Sequence, residues 1–206
     1  MDTQIGKYAN EVSEYFKNIY PGRKYGIFRE KFADIVHIDV HVLHPTPNDD
    51  YFIIYTTGMS DLPMTTPDEL DEPINWSHAE VFAVLPSTWQ PENTEDEVHH
   101  WIVTMLRYVA RMPHLYKTWL ADGHTMPNGS EYSPVAEGSL LSSLILLTGN
   151  PPLTTSDGTR INFYMTVPIT KLETEFKLEN GVDALLAKFE EKNLSAIIDT
   201  FRGCCV

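Results

Sequence analysis

A chain of 206 residues, 42% apolar and 21% charged, can bury roughly 70% of its unfolded surface and needs no disulfide or metal staples. Its formal charge of −14 argues against direct nucleic-acid binding, because phosphate contacts need Lys and Arg. No stretch reaches the roughly 20 apolar residues of a membrane span, Met1-Asp2-Thr3-Gln4 lacks a basic leader, and the adjacent pair Cys204-Cys205 is poorly placed for a disulfide, so a reduced, cytoplasmic protein is expected.

The first predicted element is a helix. Ile5, Tyr8, Val12, Tyr15, Phe16 and Ile19 recur at three-to-four spacing and share one face, with Asp2 or Thr3 as the cap and Pro21-Gly22 as the stop. Over Ile35–Val42 the period changes to two: Ile38, Val40 and Val42 face one way, His37, Asp39 and His41 the other. Pro45, Pro47 and Asn48-Asp49-Asp50 form the turn into a second strand, Tyr51–Thr57, and a third strand spans about His78–Leu85. A long helix follows over Glu97–Met112, with Val98, Trp101, Ile102, Met105, Val109 and Met112 in register and Pro113 as the expected break. Asp122–Pro134 reads as an irregular loop. Strands are predicted at Ser139–Leu147 and Arg160–Val167 around the turn-rich Gly149–Gly158. Helices are predicted at Lys171–Lys177 and Val182–Lys192, and a short last strand at Ala196–Phe201. Strands and helices mingle without strict alternation. This predicts an α/β (mixed α+β) fold, a mixed and largely antiparallel sheet flanked by helices, as a single domain over residues 1–206.

Several segments, taken in order, resemble the suppressor-of-fused domain in its bacterial form. Gly58-Met59-Ser60-Asp61-Leu62 looks like that family's Gly-x-Ser-Asp-Leu segment, and Ala79-Glu80 with Leu85-Pro86 and Trp89 is similar to its Ala-Glu strand. Trp101, Thr118-Trp119-Leu120, Gly123-His124-Thr125, Phe163–Leu172 with Glu175 and Gly181, and Asp199-Thr200-Phe201-Arg202 continue the match, which runs from about residue 30 to residue 202. The resemblance implies a mixed α/β domain that works by holding a protein partner: animal relatives hold a transcription factor, and bacterial relatives are commonly placed among immunity proteins that neutralise toxins, nucleases among them.

The residues themselves offer three kinds of site. His37, Asp39 and His41 form a polar strand face, with His124 in a Gly/Pro loop as a further member. A metal could span such a face, but a solvated strand face with cross-strand hydrogen bonds is the reading favoured, and neither metal nor cofactor is expected. No glycine-rich phosphate loop is present, and Ser60 lacks the glycine two residues on that a nucleophile elbow requires. The acids gather in runs, and Asp68, Glu69, Asp71, Glu72, Glu92, Glu95, Asp96 and Glu97, with Trp76 and Trp89 beside them, make the candidate partner-binding face. The expected function is therefore non-catalytic binding of a protein, of the immunity or antitoxin kind, against a basic toxin domain. The alternatives are a regulatory scaffold or chaperone-like binder of an endogenous protein, and a metal-dependent hydrolase built on His37, Asp39 and His41.

Overall fold

The computed structural model describes residues 6–33 and 35–206. The apolar position Ile5 and the expected cap residues Asp2 and Thr3 lie outside them, and the first helix starts later than expected, at Ala9, with Tyr8 in the cap position. Among the described residues seven strands form one sheet: β1 (Tyr25–Phe28), β2 (Asp39–Leu43), β3 (Tyr51–Thr57), β4 (Ala79–Pro86), β5 (Thr125–Pro127), β6 (Leu141–Thr154) and β7 (Arg160–Thr170), in the spatial order β1-β2-β3-β4-β7-β6-β5. Every neighbouring pair is antiparallel except β4 with β7, as the mixed, largely antiparallel expectation required.

Helices cover both faces. On one, α2 (Glu97–Tyr116) buries Ile102, Leu106 and Val109 against Val40, Val42, Ile54, Val81 and Leu144. On the other, α1 (Ala9–Ile19) buries Val12 and Phe16 against Leu43, Ile53, Tyr55, Phe82 and Phe163. The Phe16 ring lies flat on Tyr55 at 3.9 Å between centroids. Each such fully buried side chain contributes roughly 1.5–3 kcal/mol. This double cover explains why β3 and β4 read as nearly unbroken apolar runs. The helices α3 (Lys171–Asn180) and α4 (Val182–Glu191) close a third, smaller cluster through Leu185, Ile145 and Ile169.

The structure departs from the sequence-based elements in several places. Helix α2 does not break at Pro113 but carries it, buried, to Tyr116. A proline inside a helix forfeits one hydrogen bond, but the helix ends within a turn, where Lys117 turns left-handed and the Thr118 N–H donates to the Pro113 carbonyl at 3.0 Å. Strand β6 runs past Leu147 through Pro151-Pro152, because register shifts between Thr148 and Asn150 and between Asn150 and Leu153 place the prolines at bulges. The irregular loop contains the short strand β5, and β1 was not anticipated. The expected strand at Ala196–Phe201 is a single parallel bridge, Ile197 to Val84, with Ile198 N–H donating to the Val84 carbonyl at 2.9 Å. β4 and β7 pair only from Ala79 to Phe82, and the C-terminal segment takes the place beside Val84.

Candidate functional site

The polar strand face becomes one wall of a pocket of about 160 Å³ between α1 and the β1–β2 edge. His37, Asp39 and His41 all line it, as does Arg29. His41 is almost wholly buried, with the Tyr25 hydroxyl 2.6 Å from Nδ1 and the Thr57 hydroxyl 2.7 Å from Nε2, and its ring stacks on Tyr55 at 4.7 Å. Burial pushes its pKa down to about 4, so it is neutral at pH 7. Both ring nitrogens are occupied whichever carries the proton, and neither has a lone pair to spare for a metal. Asp39 accepts from Glu30 N–H at 2.8 Å and lies 3.0 Å from His37 Nε2 and 3.4 Å from Arg29. Among the described residues no three His, Cys, Asp or Glu side chains gather as a metal-holding group. His124 is not part of this pocket. It sits edge-on against Trp119 at 4.9 Å, just before β5, at the far end of the sheet from β2.

The acidic residues fall into two groups. Asp71, Glu72 and Trp76 line a groove of about 500 Å³ together with Trp119, Asp122 and Arg160, and Asp68 and Glu69 are exposed on the same loop. Trp76 is 37% exposed, its indole N–H donating to the Asp71 carbonyl at 3.3 Å. Glu92, Glu95, Asp96 and Glu97 lie at the other end of α2, whose start Asp96 caps by accepting from Val98 N–H at 2.9 Å. Since α2 has 20 residues, the groups stand about 30 Å apart along it. Trp89 is not presented at the surface: it is 6% exposed, packed on Phe52, and its indole N–H donates to the His99 carbonyl at 2.6 Å.

The suppressor of fused protein family model matches residues 34–203. The chain belongs to the suppressor-of-fused family. No curated protein sequence matches it. Among solved structures it is similar to a suppressor-of-fused homologue from Neisseria gonorrhoeae FA 1090, with a TM-score of 0.70 at 17% identity over 97% of both chains. It is also similar to a chain of the Sufu–Fu complex, with a TM-score of 0.68 at 14% identity over 95% of this chain and 91% of that one. Suppressor of fused from Drosophila gives a TM-score of 0.57 at 14% identity, over 87% of this chain and 46% of the fly protein.

In this suppressor-of-fused domain, residues that carried the resemblance meet at two buried carboxylates. Glu80 of β4 is fully enclosed and accepts from Thr56 Oγ1 at 2.6 Å, Gly58 N at 2.9 Å, Ser60 N at 3.0 Å and Ser60 Oγ at 2.7 Å. The Gly-x-Ser-Asp-Leu segment and the Ala-Glu strand are thus one hydrogen-bonded unit. Ser60 is a structural donor there, buried and without access to a substrate. Burial pushes Glu80 up to about 7, against the pull of its donors. The second carboxylate, Glu173, is gripped by Arg202 of the closing segment at 2.6 and 2.7 Å. It also accepts from Cys205 N–H at 2.9 Å and closes a capping box with Thr170. Burial favours its neutral form, but Arg202 and these donors win and hold its pKa below the usual value. Sequence reasoning singled out neither carboxylate as a hub. The legible signals were a lone acid inside the apolar run of β4, and the Thr170-Lys171-Leu172-Glu173 spacing of a capping box.

Proposed function

We propose that the chain is a non-catalytic protein-binding module of the cytoplasm, an immunity or antitoxin-type protein that neutralises a protein toxin by covering it. The observation that carries this reading is the nearly full-length likeness to a chain of the Sufu–Fu complex, in which such a fold is held with another protein. The charge of −14 adds the chemistry of the partner: a negative surface steers and holds a basic face, and in a nuclease toxin that face is the one that takes phosphates.

Candidate partners are basic toxin domains encoded beside this chain. Equimolar protein is expected to abolish the toxin's activity, with an association rate that drops at least tenfold between 20 and 200 mM salt, on the order of what electrostatic steering gives. An association rate insensitive to salt removes the electrostatic mechanism. Stable capture of an endogenous regulatory protein, with no effect on any neighbouring toxin, replaces immunity by scaffolding.

A further inference from the structure

Beside the first turns of α2 lies an apolar groove of about 650 Å³ that no element of the described chain fills. Its floor is Trp89, Trp101 and Ile102, all buried within the core, and its walls are Val98 of α2 and, opposite, Ile197 and Phe201 of the C-terminal segment. Phe201 is 56% exposed at the mouth, and Ser139 Oγ holds the Thr200 carbonyl beside it at 2.6 Å. A bulky aromatic side chain left in water at the lip of a preformed apolar trough is the anatomy of a protein-docking surface.

Charge decides what fits. Among the described residues no lysine or arginine lines this groove, whereas Asp199 does. The acid run from Glu92 to Glu97 enters α2 beyond one end of it, with Glu92 exposed and with Glu95 and Glu97 lining the neighbouring groove beside His100 and Tyr108. An acidic partner would be repelled, and a purely apolar one would leave these carboxylates without counterparts. Resting on the protein-binding reading above, we infer that this groove is the docking surface, and that it takes a partner segment with bulky apolar anchors flanked by lysine or arginine. The anchors seat between Val98 and Phe201, over the edge of Trp101, and the basic flanks meet Asp199 and the exposed Glu92. The other acid group, around Asp71, lies about a helix length away and is not needed for this contact.

The test uses the full ¹⁵N-labelled chain and two 18-residue synthetic amphipathic peptides of identical Leu/Phe spacing, one with Lys and one with Glu at every other polar position. The Lys peptide is expected to shift the indole N–H signals of Trp89 and Trp101 and the backbone amides of Val98 and Ile197–Phe201. Its affinity should fall at least tenfold in Phe201→Ala and in Val98→Lys, while the Glu peptide causes no shift. The assignment is overturned if neither peptide binds, if both bind alike, if the shifts map to residues 68–76, or if both variants keep affinity within twofold. The outcomes separate from those above. A toxin that is inhibited equally by the wild type and by Phe201→Ala and Val98→Lys keeps the immunity reading and sinks the groove. A groove occupied as described, with no toxin bound, does the reverse.

Discussion

At the scale of single residues, the tightest constraint is Gly58. Its φ of +110° lies in the left-handed half of the map, and a Cβ built there would fall 1.9 Å from the His37 carbonyl oxygen. The glycine lets the chain leave β3, turn, and present its own N–H and that of Ser60 to Glu80. Gly22 is the natural control, since its φ is +75° and a Cβ there would meet nothing within 4 Å. Gly22→Ala is expected to cost about 1 kcal/mol for the backbone alone. Gly58→Ala adds a backbone overlap that cannot relax without breaking the Glu80 unit, so its cost is expected to exceed about 3 kcal/mol, as large effects of special backbone positions do. Urea denaturation midpoints of the two variants check this, and equal losses would refute the account. The glycine and the serine were readable as a motif. Their purpose was not, because the acceptor that unites them lies twenty residues on, and only folding brings it there.

At the scale of elements, what the sequence made legible was whatever depends on local periodicity. The α1 and α2 faces and the limits of β3 follow from spacings of three to four and from turn residues, and both helices bury the predicted side chains Val12, Phe16, Ile102 and Val109. What stayed hidden depends on partners. Pro151-Pro152 reads as a stop because bulge register is set by β7, and Ala196–Phe201 reads as a strand because its apolar content is that of a segment pinned against β4. That segment is also tied at its far end, where Arg202 grips Glu173 of α3. Arg202→Met leaves a buried carboxylate unpaired, at an expected cost of about 3–5 kcal/mol. The double variant Arg202→Met with Glu173→Gln removes the stranded charge while keeping one acceptor oxygen, for either the Cys205 or the Thr170 N–H, and is expected to lose less than Arg202→Met alone. Amide exchange at Ile198, which donates to Val84, reports the same event locally. Its protection should fall in the single variant and recover in the double; an unchanged Ile198 amide in Arg202→Met would show that Arg202 does not anchor the segment.

At the scale of the whole molecule, composition conveyed the acidic surplus but not its geography. The runs around Asp71 and Glu95 look like one face in the sequence and stand at opposite ends of α2 in space. The same distance-blindness hides a balance between two buried groups on opposite sides of β3. Glu80, raised from 4.5 to about 7 by burial, keeps its proton in the folded chain over a range where the unfolded chain has lost it. Its contribution to stability is therefore present at low pH and is lost as pH climbs from about 4.5 to 7. His41, lowered from 6.5 to about 4 by burial, stays neutral in the folded chain where the unfolded chain is protonated. Its contribution is present above pH 6.5 and is lost as pH falls towards 4. Each displacement is worth on the order of 3 kcal/mol, and the two act in nearly the same window with opposite sign. Their sum is close to flat in the wild type, and removing either one exposes the other. Relative to the wild type at each pH, Glu80→Gln should lose stability on going from pH 7 to pH 4.5, and His41→Gln should gain it. Denaturant midpoints measured at both pH values decide the matter: if the two variants shift together, or neither changes with pH, the neutral states assigned to these buried groups are wrong.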